Sequence, residues 1–460
     1  MQAELREVIG VIYLNLGVLD QARVQIEKAL AAREQAFGSS SLPVATSLRD
    51  LGLVEQRLSH FKEAGDLIRR SLQIRLRQLG PSHPDLAQNW NDMGRVSYFE
   101  GDYEAAEESF RKALELRRGA PQHDDLEVAR TLSNLGLVRW QQSRFQEAEG
   151  LVRQALELEA SLLPTDHPEL ADLQTNLAIL LAAQSRFADA ERLYRQALKV
   201  RESTYPGDHY RVADSLSNLG YVLNAQGRYG EAESFLLHGL EMRRRLFGEL
   251  HADVASALEN LADCQIGLGK TLDAVNGERE ALEIRRKVLS PGDHPVIVAS
   301  LTSLAEALAA DGQTDSAIGV YREAVRLGAE SLDPLELATA QTELGGLLCS
   351  RGQTSEGELL TQQARQRLQP PAEAQPWVVA EAESAWAQCL AARGEFGAAE
   401  KVLLESLHRL ERLLGPSAQG NRRTILRLAR LYEAKGLPAK AALYRARLHP
   451  GAAPLPSTAR

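Results

Sequence analysis

The sequence predicts an all-α fold, a solenoid of about eleven antiparallel helix pairs, because three periodic tracks run through it in phase. The first track is a small residue every 42 residues: Ala22, Ala64, Ala106, Ala148, Ala190, Ala232 and Ala274. The second is a large apolar residue at the same period: Leu51, Met93, Leu135, Leu177, Leu219 and Leu261. The third is the small residue that follows each of these. Such periodicity is typical of repeat proteins, in which each unit stacks on the next.

Each unit is predicted to contain two helices. Within residues 211–227, apolar residues recur every three or four positions, as in a helix with one buried stripe. Gly227 ends this stripe, and a second one begins at Tyr229. Small residues such as Gly220 are expected where helices cross, because they let the backbones approach closely. Between units, a Gly is expected to end one helix, and an Asp or Ser to cap the next.

The composition excludes several classes of protein. With 53 Lys and Arg against 62 Asp and Glu, the net charge is −9, which argues against a nucleic-acid partner. No apolar run reaches the length needed to span a membrane, and no charged-then-apolar leader precedes the first helix. The three cysteines are far apart in sequence, so we expect no disulfide framework, buried thiols and a reducing, cytoplasmic location.

The small residues of each hairpin suggest a family. Gly94, Ala106 and Ala113 keep the same offsets as Gly220, Ala232 and Gly239. This spacing resembles the tetratricopeptide (TPR) repeat, and the sequence of residues 216–243 is similar to the longer repeat of kinesin light chains. The resemblance implies a right-handed superhelix with the first helix of each pair on its inner wall. We expect a regular array over 1–368, a Pro-containing connection over 369–380, divergent units over 381–448 and a disordered tail over 449–460.

Two motifs that could suggest chemistry have simpler structural interpretations. Gly269-Lys270-Thr271 ends like a phosphate-binding loop, but Cys264 stands where that motif needs its first Gly, and no strand precedes it. We predict a turn between helices. Six histidines lie in the turns between units, at positions 83, 123, 167, 209, 251 and 294. Capping and packing explain them better than metal binding, since no Cys or carboxylate cluster converges there.

The second helices are rich in Arg, and two interpretations stay open. One is a solvated surface with local ion pairs. The other is salt bridging between repeats by a periodic set: Arg75, Arg117, Arg201, Arg243 and Arg285.

The strongest functional signal is a polar position directly before the periodic apolar residue. It is filled by Asp50, Asp92, Asn134, Asn176, Asn218, Asn260 and Ser303, which we call the ladder. By resemblance these side chains should face the groove. Carboxamides both donate and accept hydrogen bonds, which suits an extended peptide backbone. The predicted peptide-binding residues are Asp92, Asn134, Asn176, Asn218 and Asn260, with Arg95, Tyr98, Trp140 and Tyr221 as side-chain pockets. Alternatively, the Asn side chains only fix the stacking of adjacent helices.

The predicted function is a non-catalytic scaffold that binds a protein or an extended peptide, with no cofactor and no metal. The arginines at 49, 57, 95, 130 and 139 favour an acidic peptide. The alternative is a sensor or docking region of a larger bacterial-type signalling protein, a serine/threonine kinase or regulator, whose catalytic domain lies outside this chain. The apolar terminal helices leave a homo-oligomer through the terminal repeats open.

Overall fold

The computed structural model describes residues 2–58, 60–120, 124–142, 144–289, 294–329, 334–368, 376–414 and 420–448. These ranges contain 22 α-helices and no strand, which confirms the all-α solenoid. They group into two compact units, Met1–Leu180 and Leu181–Arg460. None of the described helices is both long and apolar enough to cross a bilayer.

The first unit is built from α1 to α8 and most of α9. The helices are α1 (Gln2–Asn15), α2 (Leu19–Phe37), α3 (Leu42–Arg57), α4 (Phe61–Leu79), α5 (Leu86–Phe99), α6 (Tyr103–Gly119), α7 (Asp125–Gln141), α8 (Phe145–Leu162) and α9 (Pro168–Ala183). Each odd-numbered helix from α1 to α7 packs against the even-numbered helix that follows it, and the next pair stacks on that helix.

The second unit continues the same plan. Its helices are α10 (Phe187–Thr204), α11 (Tyr210–Ala225), α12 (Tyr229–Phe247), α13 (Ala252–Leu268), α14 (Thr271–Val288), α15 (His294–Ala310), α16 (Thr314–Gly328), α17 (Pro334–Ser350), α18 (Thr354–Arg367), α19 (Pro376–Ala392), α20 (Phe396–Leu414), α21 (Gly420–Ala434) and α22 (Pro438–Ala446). Residues 376–380, assigned to the Pro-containing connection by sequence, belong instead to α19. A Pro suits the first turn of a helix, where its missing N–H has no partner. Residues 369–375 and the predicted tail at 449–460 lie outside the described ranges.

The small-residue tracks hold the two helices of a pair together. A Cβ added to Gly52 would lie 2.7 Å from Cγ1 of Ile68, and one added to Gly220 would lie 2.5 Å from Cγ of Leu236. The alanines of the first track are fully buried, from Ala22 to Ala274. Glycine therefore lets the large apolar side chain of the second helix pack closely against the backbone of the first helix, as the spacing predicted.

Four of the six turn histidines, at positions 83, 167, 209 and 251, accept a hydrogen bond from a backbone N–H two residues later. His123 and the side chain of His294 lie outside the described part of the chain. Nδ1 of His209 accepts a hydrogen bond from the backbone N–H of Arg211 at 3.2 Å, and Nδ1 of His251 accepts one from Asp253 at 3.1 Å. The ring of His209 also stacks on Tyr205, with centroids 3.9 Å apart. Capping is thus confirmed for these histidines, but at α11 and α13 the cap is the His itself rather than an Asp or Ser.

The periodic arginines of the second helices are largely buried and bridge helices. Arg117 donates to the backbone oxygen of Glu127 on α7 at 2.8 Å and to Oε1 of Gln88 on α5 at 2.8 Å. Arg201 donates to Oγ of Ser215 at 2.6 Å, and Arg243 pairs with Asp214 at 2.8 Å. Arg117 and Arg201 therefore bridge to the next repeat, whereas Arg243 pairs with the other helix of its own repeat.

Two cysteines are closer than their sequence separation suggested. Cys349 on α17 and Cys389 on α19 form a disulfide, with Cα atoms 4.8 Å apart. The expectation of free thiols is therefore wrong for this pair. Its 40-residue separation is about one repeat, so stacking brings the two first helices into contact. Cys264 is free and buried, as expected, and the cytoplasmic location stays a prediction.

Candidate functional site

The candidate site lies on the first helices of the pairs. Within the first unit α1 contacts α3, α3 contacts α5 and α5 contacts α7. Within the second unit the same holds for α11, α13, α15, α17, α19 and α21 in sequence. The side chains along these odd-numbered helices that do not face the second helices form what we call the first-helix wall. Each ladder residue belongs to one of the first helices.

In the first unit the ladder residues are engaged with the neighbouring helix. Asp92 is fully buried, and its Oδ2 accepts from Nε of Arg49 at 2.6 Å. Asn134 donates to Oδ1 of Asn91 at 3.1 Å, and Asn176 donates to Oγ of Ser133 at 2.9 Å. Each of these bonds joins one first helix to the next. This part of the ladder contributes to stacking, as the alternative interpretation held, and Asp92 has no exposed surface for a ligand.

In the second unit the ladder is different at two positions. Asn218 on α11 and Asn260 on α13 are half-buried, and their amides have no hydrogen-bond partner among the described residues. Tyr221 lies one turn after Asn218 and is 52% exposed. Desolvation by the surrounding protein, with the nearby Asp263 carboxylate, raises the pKa of its phenol.

The remaining predicted pocket residues lie in the first unit. Arg95 is half-buried, and no described residue forms an ion pair with it. Burial lowers the pKa of Arg95; Asp92 opposes this, and Arg57 and Arg49 add to it. Tyr98 and Trp140 are half-buried, and Gln141 donates to the Tyr98 hydroxyl at 3.0 Å.

The predicted excess of positive charge in the first unit is smaller than the sequence suggested. Arg49 pairs with Asp92, Arg130 pairs with Glu127 and Glu169, and Arg139 pairs with Glu107. Arg139 is also buried, so it does not face a ligand. These ion pairs weaken the argument for an acidic peptide.

In the second unit, two arginines of α21 reach across the first-helix wall. Arg427 donates to both carboxylate oxygens of Glu343 on α17, at 2.8 and 3.0 Å. Arg423 lies 2.5 Å from Glu306 on α15 and 3.7 Å from Glu381 on α19. We call these five residues the arginine–glutamate cluster. It joins helices two and three repeats apart, because the wall of this unit curves until α21 faces α15.

The carboxylates of the cluster differ in their electrostatics. Burial raises the pKa of Glu306 to about 7, although Arg423 opposes the shift. Burial acts in the same direction on Glu343, but Arg427 and Arg423 outweigh it and lower its pKa. Glu343 is therefore the carboxylate that the arginines hold ionised. Sequence reasoning missed the cluster, since its residues lie up to 121 positions apart in the chain.

The suspected phosphate-binding motif lies where α13 ends and α14 begins. Gly269 ends α13 with a φ of +78°, Lys270 pairs with Glu233 at 2.6 Å, and the Thr271 hydroxyl donates to Asp311. These three residues form the predicted turn. Within the described ranges, Glu55, His60 and Glu63 come close enough to hold a metal ion. The guanidinium of Arg23 already contacts Glu55 and His60, which supplies the positive charge there.

Sequence profiles of the tetratricopeptide repeat match most of the chain. One covers residues 2–76, 51–119, 127–203 and 211–287, a second covers 91–161 and 175–240, and a third covers 300–335. The chain belongs to the tetratricopeptide repeat family. Proteins of this family are generally non-catalytic interaction scaffolds. No curated protein sequence matches this chain.

Solved structures of Rap proteins share the fold. A Rap protein complexed with competence and sporulation factor is 16% identical, with a TM-score of 0.53 over 87% of this chain and 100% of that chain. The apo form of RapI is 15% identical, with a TM-score of 0.53 over 87% and 97%. A putative kinesin light chain repeat protein of Podosopora anserina is 19% identical, with a TM-score of 0.37 over 45% and 99%.

Proposed function

We propose that this tetratricopeptide repeat protein binds an extended peptide segment of a partner protein on the first-helix wall of α11 and α13. The observation that carries the proposal is the pair of unpartnered amides, Asn218 and Asn260, one repeat apart on adjacent helices. A carboxamide can pair with both the N–H and the C=O of a strand-like peptide.

Tyr221 would supply side-chain selectivity beside these amides. It is 52% exposed and offers an aromatic face with a hydroxyl at its rim, a combination that is frequent among residues that dominate binding energy. A preformed wall of stacked helices lowers the cost of ordering, because only the peptide has to lose conformational freedom.

The test uses peptides selected from a random phage-displayed library on the immobilised chain. Their affinity is then measured by calorimetry for the wild type and for Asn218→Ala/Asn260→Ala. We expect about tenfold weaker binding for each hydrogen-bonding side chain removed, since a tenfold change corresponds to about 1.4 kcal/mol. Tyr221→Ala should change which peptides are selected.

A matched control is Asn134→Ala/Asn176→Ala, which removes two amides already engaged with neighbouring helices. It should leave peptide affinity unchanged. If both double variants bind like the wild type, the first-helix wall of α11 and α13 is not the binding surface. The alternative role, as a docking region of a larger signalling protein, stays a prediction.

A further inference from the structure

Two first helices of the second unit, α15 and α21, belong to different apolar cores. One core is built from α13 to α17 and includes Leu301 and Leu304 of α15. The other is built from α19 to α22 and includes Ile425 and Leu428 of α21. In keeping with this, α21 packs against α19, α20 and α22. Apolar packing therefore places α15 and α21 in separate parts of the unit.

Arginine side chains link these two parts directly. Nη2 of Arg423 on α21 lies 2.5 Å from Oε1 of Glu306 on α15, three repeats away. Arg422 donates to the backbone oxygen of Ile266 on α13 at 3.5 Å. In a solenoid each repeat normally contacts only its neighbours. These links are of a different kind, because they close the unit across the repeats that lie between.

The helices from α17 to α21 are braced against one another. The disulfide between Cys349 and Cys389 joins α17 to α19. Arg427 on α21 bonds both carboxylate oxygens of Glu343 on α17, and both side chains of this pair are buried. A movement of α21 relative to α15 therefore has to occur at the stacking step from α15 to α17.

We propose that Arg423 and Glu306 form a latch that holds the second unit closed and that opens when their attraction is weakened. In the closed arrangement, Arg423 of α21 is paired with α15. In the open arrangement, the helices from α17 to α22 move away from α15 as one body, and the Arg423–Glu306 pair is broken. The latch does not depend on the peptide site proposed on α11 and α13.

The pair is suited to reversible opening because both of its side chains reach solvent. The side chain of Arg423 is 32% exposed and that of Glu306 is 24% exposed. Such pairs contribute little net free energy, since desolvation offsets most of the attraction. Burial raises the pKa of Glu306 although Arg423 opposes the shift, so at this carboxylate desolvation is the larger effect. Opening lets both groups regain water.

Opening does not leave Arg423 as an isolated charge. Its guanidinium also lies 3.5 Å from Glu343 on α17 and 3.7 Å from Glu381 on α19, and both residues belong to the body that moves with α21. The closed and open arrangements thus differ by one carboxylate partner of Arg423. A difference of this size is small enough for ionic conditions to reverse it.

Double electron–electron resonance between spin labels at Ala310→Cys on α15 and Ala434→Cys on α21 measures the opening. Both positions are exposed, and the natural cysteines are buried or paired. We expect Arg423→Met to lengthen the main distance by about 5 Å or more, the size of a one-turn displacement. Glu306→Gln keeps the side-chain size and should have the same effect. Arg430→Met, at an exposed arginine of α21, is the matched control and should leave the distance unchanged.

Salt tests the latch without a change to its residues. At about 1 M salt, charges are screened beyond about 3 Å, so the distance should lengthen in the chain that keeps Arg423 and Glu306. Arg423→Met should show no further lengthening. A second pair of labels, at Leu272→Cys and Ala310→Cys, flanks the hydrogen bond from Thr271 to Asp311 and should keep its distance in every condition.

The proposal is overturned if Arg423→Met and Glu306→Gln leave the Ala310–Ala434 distance unchanged. It is equally overturned if that distance does not respond to salt while Arg423 and Glu306 are present. Lengthening of the Leu272–Ala310 distance would also overturn it, because the unit would then loosen as a whole rather than open at one step.

Discussion

The position directly before the periodic apolar residue has different bonding partners in the two units. In the first unit, ladder residues bond to the adjacent first helix: Asp92 to Arg49, Asn134 to Asn91 and Asn176 to Ser133. In the second unit, Glu343 stands directly before Leu344, as each ladder residue stands before its apolar residue, and it pairs with Arg427, two repeats further along. Bonds between neighbours fix the angle of one stacking step. The arginine–glutamate cluster instead fixes the relative position of helices that are two or three repeats apart.

The largest effect is expected from Arg427→Met. Glu343 would stay buried without the guanidinium that bonds both of its oxygens, and only the more distant Arg423, at 3.5 Å, would remain. Removing one partner of a buried ion pair costs about 3–5 kcal/mol. Urea denaturation should show this loss as a lower midpoint. Adding Glu343→Leu to the same chain should recover most of it, since neither partner of the Arg427–Glu343 pair then remains.

Arg430→Met is the control on the same helix. Arg430 is exposed, so its replacement should change the free energy of unfolding by less than about 0.5 kcal/mol. Equal effects of the two Arg→Met changes would show that the cluster does not stabilise the second unit.

A smaller effect is expected at Glu159, which takes the place in the periodic arginine track between Arg117 and Arg201. Glu159 is 1% exposed, and its Oε2 has no hydrogen-bond partner. Burial, with a contribution from Glu169, raises its pKa from 4.5 to about 7. The folded chain therefore binds a proton that the unfolded chain has already lost, and stability falls as the pH rises from 4.5 to about 7.

Glu159→Gln removes this loss. It should stabilise the chain by on the order of 1–2 kcal/mol above about pH 7, and by almost nothing below about pH 4.5, where the carboxyl is protonated in both states. Thermal midpoints measured across this range test the sign. A benefit that is largest at low pH would contradict the assignment.

The smallest effect separates the two kinds of ladder asparagine. Asn134→Ala leaves Oδ1 of the buried Asn91 without its donor and should cost about 1 kcal/mol. Asn218→Ala removes an amide with no described partner and should stay within about 0.5 kcal/mol. Chemical denaturation of both single variants decides the point, and equal losses would mean that Asn218 also contributes to stacking.

The helix pairs were predictable because the same residue types recur at the same packing positions in one unit after another. The track through Gly52 and Gly220 predicted close helix contact, and the Cβ positions confirm it. The predicted turn at Gly269-Lys270-Thr271 is also confirmed. Both features depend only on residues within one repeat or its neighbour.

Features that depend on several repeats escaped prediction. The opposite charges of Glu343 and Arg427 are present in the sequence, but their pairing requires the curvature of the wall. The sequence did not predict the disulfide, because the two cysteines are 40 residues apart and only the stacking of the repeats brings them together. For the ladder, the sequence shows which residues carry amides. It does not show which of these amides form hydrogen bonds with a neighbouring helix.

The bond between Cys349 and Cys389 encloses α18 and the chain that leads into α19. A protease that cuts anywhere between these two residues leaves fragments that remain covalently attached. On a denaturing gel without reductant the nicked chain would run as one species, and thiol treatment would release two. Proteolytic digests of this protein should therefore be compared on gels with and without reductant.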